Sequence, residues 1–314
     1  MRERYPNVSV VVPIYNESAI FQELYRRLSF TLRSLKSHYQ MIFVDDGSSD
    51  NTLELIKNAA KDDSTVKYLS FSRNFGHQVA VSAGLEHADQ DVVVVMDGDL
   101  QDPPELIPDL LKKWMEGYQV VYAIRRKRKE GPIKKLCYHL YYRLLNRISD
   151  IPMPVDAGDF CLMDKKVNDI LKRLPEKNRY VRGIRAWAGF RQTPFPYERD
   201  RRYAGKPKYS FAKLFHLALN GITSFSQFPL KLSGYLGYLM AICSFLGIVY
   251  TIVSKILFDQ TPRGWTSLAL AFFFIGGVQL IMLSIVGIYI GKIYTEVQNR
   301  PLYILRETNL YTHS

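Results

Sequence analysis

Cysteine is scarce: Cys137, Cys161 and Cys243 are the only three in 314 residues. They show neither metal-type spacing nor an even framework, which argues against a disulfide-stapled fold and fits a reducing compartment. Histidine is thin as well, and none of the six forms a pair with zinc-ligand spacing. All six, His77 included, read as structural or exposed. No apolar segment precedes Val8, so nothing marks the first region for export, and the sequence contains no repeat or low-complexity tract.

Charge is what the last third lacks. The run 232–258 carries only Lys255, and the run 265–291 carries no charged residue. Each exceeds the ~20 residues that cross a bilayer core, whereas a long helix of a soluble core normally keeps a polar face. The short stretch 259–264 suits a turn between two antiparallel spans. Lys231 precedes the first span and Lys292, Arg300 and Arg306 follow the second, against a lone Arg263 in the turn. Because cations gather on the cytoplasmic side, both termini are expected to be cytoplasmic in a multi-pass protein of the cell membrane. Glycines 234, 237, 247, 276, 277, 287 and 291 would allow close helix packing and a homo-oligomer.

Ahead of the spans, Phe211, Leu214, Phe215, Ala218, Ile222 and Phe225 recur at helical steps, the pattern of a helix lying in the lipid interface. A core-facing helix shares that pattern. The expected organisation is a catalytic domain at 1–208, juxtamembrane interfacial helices at 209–230, two transmembrane helices within 231–292 and a cytoplasmic tail at 293–314. The net charge of +12 fits nucleic acid, or anionic headgroups and phosphates. The spans favour the second, with no nucleic-acid partner.

The first part alternates. Strand-like runs at 8–13, 41–45, 66–71, 92–96 and 119–124 are separated by helical periodicity at 17–36, 50–60 and 78–87, and by a helix opening at Asp102-Pro-Pro-Glu105. Further helices are expected at 165–174 and 180–188. Such alternation predicts an α/β fold, a mostly parallel sheet with helices on both faces. In open sheets of this kind, ligands bind beyond the carboxyl ends of the strands. There lie Asn16-Glu17, Asp45-Asp46, Arg73-Asn74 and Asp97-Gly98-Asp99.

Asp97 and Asp99 offer hard oxygen ligands suited to Mg²⁺ or Mn²⁺, with substrate phosphates and water completing the shell. Gly98 lets the backbone come close. Asp45-Asp46-Gly-Ser-Ser-Asp50 reads as a turn capped by Ser48 or Ser49, which leaves two adjacent carboxylates free to meet a ribose or a base edge.

In order and spacing, Val-Val-Val-Pro13-Ile-Tyr15-Asn16-Glu17, Asp45-Asp-Gly-Ser-Ser-Asp50, Arg73-Asn74-Phe-Gly76 and Asp97-Gly-Asp-Leu-Gln101-Asp102 closely resemble inverting family 2 glycosyltransferases of the GT-A fold. With Arg202-Tyr-Ala-Gly205-Lys206-Pro-Lys208-Tyr209 and two spans, the chain resembles the polyisoprenyl-phosphate branch. That branch holds the dolichyl-phosphate mannose synthases and the bacterial undecaprenyl-phosphate glucosyltransferases of the GtrB type. The resemblance implies that Pro13, Tyr15, Asn16, Glu17, Asp45 and Asp46 hold the donor nucleoside. Asp97, with Gly98, and Asp99 would meet its diphosphate, binding the metal together with Gln101. Asp156 or Asp159 would face the acceptor. The expected reaction is inverting transfer of a hexose, with UDP-glucose favoured over GDP-mannose as nucleotide sugar donor, onto a polyprenyl phosphate such as undecaprenyl phosphate. A different lipid acceptor, and a non-enzymatic nucleotide-binding membrane scaffold, are the competing readings.

An acceptor phosphate is already anionic near neutral pH, so Asp156 or Asp159 is expected to orient rather than deprotonate it. Cations must draw that phosphate in. Arg125, Arg126, Arg128, Arg202 and Lys206 are the candidates, although the same stretches would also attract anionic headgroups. Two departures from the wider superfamily stand out. Arg182-Gly-Ile-Arg185-Ala-Trp187 only approximates the Gln-x-x-Arg-Trp element of processive polymerases, and Pro207 stands where many relatives carry serine.

Overall fold

The computed structural model describes residues 5–125, 157–177, 179–198, 228–258 and 264–310. The chain divides into two compact units, one built on a β-sheet and the other on two long helices.

Four strands form the heart of the sheet: β1 (Val8–Ile14), β2 (Tyr39–Asp45), β3 (Val66–Phe71) and β4 (Val92–Val95). They run parallel, with β1 flanked by β2 and β4, and β2 flanked by β3. Every residue of β1 and β4 is buried, which is why β4 reads as an unbroken apolar run and β1 is interrupted only by Ser9. Helix α1 (Phe21–Ser34) turns Phe21, Leu24, Leu28 and Leu32 onto one face, where Phe21 meets Phe43 edge-on at 5.3 Å. Helix α2 (Thr52–Asp62) follows β2 and buries Leu53 and Ile56. On the opposite face α3 (His77–His87) lies so close that a Cβ on Gly84 would fall 2.2 Å from Val11 Cγ1.

Beyond β4 the sheet is mixed. Strand β5 (Val120–Arg125), which follows α4 (Ile107–Met115), does not pair with β4. Strand β6 (Ala157–Asp164) inserts between them, antiparallel to both, and β7 (Gln192–Tyr197) runs parallel to β5. Helices α5 (Lys165–Arg173) and α6 (Val181–Trp187) fall between β6 and β7. At the far edge β8 (Leu305–Thr308) pairs antiparallel with β3, completing the order β7-β5-β6-β4-β1-β2-β3-β8.

Sequence patterning therefore found the parallel core and missed three strands. Segment 102–106 is a short 3-10 turn at Pro104–Leu106 before α4, rather than a helix from Asp102. Residues 305–308, expected in a free tail, are part of the sheet.

The second unit contains α7 (Phe228–Phe258) and α8 (Trp265–Val297), of 31 and 33 residues. At about 1.5 Å per residue, each exceeds the ~30 Å hydrocarbon core. Windows of mean hydropathy 1.3 and 2.0 lie within them, and Tyr235, Leu239, Phe245, Leu268, Phe272 and Leu280 face outward. An outward apolar surface is what lipid, rather than water, would cover. The protein is accordingly membrane-associated. A Cβ on Gly237 would come within 3.0 Å of Met282 Cε on the partner helix, while the other six glycines named above meet open space. The expected interfacial segment lies outside the described residues over 209–227, and 228–230 belong to α7.

Candidate active site

The carboxyl ends of β1, β2 and β4 place three loops side by side. Asn16 adopts a left-handed φ of 55°. It is fixed by its N–H donating to Ser48 Oγ at 2.9 Å and its Oδ1 accepting from Ser49 N at 2.8 Å. Glu17 N donates to Thr52 Oγ1 at 3.0 Å and Ser18 N to Asp50 Oδ2 at 3.1 Å. The loop 13–17 is thus sewn to the turn 45–52, with the Tyr15 ring exposed.

The two carboxylates of that turn point inward. Asp45 accepts from Ser48 N at 3.0 Å and from Ser70 Oγ at 2.8 Å. Asp46 accepts from Phe75 N at 2.7 Å and Gly76 N at 3.0 Å. Burial raises the Asp46 carboxyl above its ordinary range, partly offset by those two N–H groups. Both carboxylates are buried, and they order the loops around them. Gly47 at φ +70° is required, since a Cβ would sit 2.5 Å from the Arg73 carbonyl carbon.

After β4 the chain turns through Asp97-Gly98-Asp99. A Cβ on Gly98 would lie 3.1 Å from Pro13 O, so this turn packs directly on the end of β1. Asp99 Oδ1 accepts from Gln101 N at 3.1 Å, and Asp102 accepts from Tyr197 OH. Asp97 Oδ1 is buried and has no hydrogen-bond partner among the described residues. The antiparallel pairing of Val95 with Cys161, carried two residues further, sets Asp159 opposite Asp97. His77, the first residue of α3, fills the gap, its Nε2 3.5 Å from Asp97 Oδ1 and 3.3 Å from Asp159 Oδ2. Arg182 grips Asp159 from behind with two bonds, Nε to Oδ1 at 2.7 Å and Nη2 to Oδ2 at 2.8 Å.

A family model described as glycosyl transferase family 2 matches residues 9–171, from β1 through most of α5. The chain belongs to that family. A Bacillus subtilis protein named glycosyltransferase YkcC is 46% identical over 306 residues, covering 97% of this chain and 95% of its own. The SfII prophage-derived bactoprenol glucosyl transferase of Shigella flexneri is 41% identical, covering 96% of this chain and 98% of its own. The prophage bactoprenol glucosyl transferase homolog of Escherichia coli is 39% identical, covering 95% and 98%. These matches run the length of the chain, the two long helices included. The protein is a glycosyltransferase with the GT-A-like sheet expected from its sequence.

Within the family's sheet, the charges at this site are strongly coupled. Burial pushes the Asp97 carboxyl up to about 7; His77 opposes this, while Asp159, Asp102 and Asp99 add to it. Burial would raise Asp159 too, but the Arg182 guanidinium holds it well below the usual carboxylate range. His77 is drawn up by Asp159 and Asp97 against the pull of its own burial. An orphaned buried carboxylate oxygen, with a second carboxylate and an imidazole nearby, fits a divalent cation: the three ligand atoms lie within 4.8 Å of one another.

The structure thus gathers Asp97, Asp159 and His77, whereas the sequence pointed to Asp97, Asp99 and Gln101. His77, read from the sequence as structural or exposed, sits between the two acids. Arg182 and Tyr197 were missed. Arg185, one turn beyond Arg182, is also buried, and its Nε and Nη2 find no partner among the described residues. Arg125 ends β5, where its backbone pairs with Tyr197. Asp156, Arg126, Arg128, Arg202 and Lys206 lie outside the described residues.

Proposed function

We propose that this glycosyltransferase moves a hexose, glucose from UDP-glucose, onto a polyprenyl phosphate at the cytoplasmic membrane face with inversion. The observation that carries the reading is the buried Asp97 oxygen, without a hydrogen bond among the described residues, facing His77 and Asp159 at the carboxyl ends of the strands. It occurs in a chain with two lipid-facing helices whose relatives bear the name bactoprenol glucosyl transferase.

In this reading the loops at 13–17 and 73–77, ordered by Asp45 and Asp46, hold the nucleoside, with Tyr15 open to it. Asp97 and His77, with Asp99 and Gln101 nearby, hold Mg²⁺ or Mn²⁺. That ion, when bound, supplies Lewis-acid stabilisation of the departing nucleoside diphosphate. Asp159, held ionised by Arg182, orients the acceptor side of the site, and Arg125, Arg126, Arg128, Arg202 and Lys206 receive the lipid phosphate. That phosphate attacks the anomeric carbon from the face opposite the leaving group.

Both ends of the hairpin are read as cytoplasmic. The excess of Lys and Arg beside the spans supports this orientation, and strand β8, which follows α8 in the chain and belongs to the catalytic sheet, agrees with it. The six glycines facing open space on α7 and α8 support self-association, checked by cross-linking in membranes.

The test is the purified full chain in detergent with undecaprenyl phosphate and a panel of radiolabelled nucleotide sugars. Metal-dependent glucosyl transfer from UDP-glucose, lost in Asp97→Ala, is expected. Undiminished transfer in EDTA refutes the metal role. Transfer from GDP-mannose alone, or onto a different lipid, replaces the substrate assignment, and nucleotide binding without product favours a scaffold.

A further inference from the structure

The chain after α8 does more than cover an edge. Tyr303 stacks on Phe71 with ring centroids 5.0 Å apart and an interplanar angle of 21°, and Phe71 in turn meets Phe75 edge-on at 5.7 Å. Phe71 is the last residue of β3, and Phe75 lies in the loop between β3 and α3. The Phe75 and Gly76 amides are those held by Asp46, and the next residue is His77, beside Asp97.

The same tail is fastened on either side of this stack. Tyr303 OH donates to Glu86 Oε2 at 2.9 Å, Ser72 N donates to Ile304 O at 3.0 Å, and Lys57 pairs with Glu307 at 2.7 Å. Asn309 brackets β3, accepting from Tyr68 N at 2.8 Å and donating to Val66 O at 3.0 Å. Ser72, held by the tail, directly precedes the loop. Gly76, at φ +104°, gives the loop no stiffness of its own, so its order comes from the Asp46 hydrogen bonds together with what packs against Phe75.

We propose that Tyr303 is a positioning residue: through Phe71 and Phe75 it fixes the Arg73–His77 loop, so that the segment between the second long helix and β8 sets the geometry of the donor side. An aromatic pair contributes through its offset or edge geometry as well as its area, so removing one ring loosens the next. The proposal rests on the reading of this end of the sheet as the donor site.

The experiment compares the full-length protein in detergent with Tyr303→Phe and Tyr303→Ala. Hydrogen–deuterium exchange is followed at 73–77 and in β1 and β2, and donor kinetics are measured alongside. In Tyr303→Ala, exchange at 73–77 is expected to rise about threefold to tenfold, the scale of one aromatic pair. Exchange in β1 and β2 should stay unchanged, and KM for the nucleotide sugar should rise several-fold with little change in kcat. Tyr303→Phe keeps the stack and should match the parent. Unchanged exchange at 73–77, or a uniform rise across the sheet, overturns the proposal. So does a loosened loop with an unaltered donor KM. A parent protein that transfers no sugar would instead count against the proposed reaction, and the exchange measurement would still decide the coupling.

Discussion

Replacing Asp97 with asparagine should make the metal-free protein more stable at neutral pH while removing its activity. A carboxyl raised from an ordinary 3.8 to about 7 binds its proton more tightly in the folded than in the unfolded chain. Folding therefore loses stability as pH climbs through that interval. Below about pH 4 both states are protonated and the cost vanishes; above about pH 7 it is fully expressed. The full interval corresponds to roughly 4 kcal/mol. Sharing of charge with His77 and Asp159, and a side chain still 27% exposed, reduce this to about 2 kcal/mol. For a domain of this size that is a rise of roughly 4–8 °C in Tm. Thermal unfolding in detergent with EDTA, at pH 4.5 and pH 8, compares the parent with Asp97→Asn. The variant should gain at pH 8 and show little difference at pH 4.5. Adding Mn²⁺ should then stabilise the parent alone. A variant less stable than the parent at pH 8 in EDTA would refute the reasoning, because it would mean that the Asp97 charge is a net contributor to the fold.

Arg182→Gln strands the buried Asp159 carboxylate, whose side chain is 8% exposed, and should cost about 3–5 kcal/mol, with part regained in the double variant with Asp159→Asn; chemical denaturation measures both. Gly84→Ala drives a Cβ into Val11 and should lift α3, lowering Tm and displacing His77; Val11→Ala in the same chain should restore much of the loss. A cysteine introduced at Gln260, in the turn expected between the spans, should react with a membrane-impermeant maleimide in intact cells. One introduced at Glu54, on α2, should react only after lysis.

What the sequence made legible is what local periodicity encodes. The runs of β1 and β4 are almost wholly apolar, Ser9 excepted, because both faces are covered, and α1 shows its stripe because one face is not. Gly98 was readable from its place between two aspartates after a buried strand, although the close approach it permits, to Pro13 O at the end of β1, is a tertiary contact. The partners of Asp97 were not. Asp159 reaches it only because an antiparallel strand inserts between β4 and β5, and nothing in Ala157–Asp164 announces that register. His77 carries no ligand spacing, since its companions arrive from distant strands rather than from the next helical turn. The internal hydrogen bonds of the double acid at 45–46 were not legible either. Adjacent carboxylates look like a ligand site, but an aspartate whose neighbours supply N–H and hydroxyl donors can be satisfied inside the fold, as Ser48, Ser70, Phe75 and Gly76 do here. Asp97 Oδ1 has no such donor among the described residues. In this site, then, the acid left without a hydrogen bond says more about where a cation could bind than the number of acids in the motif does.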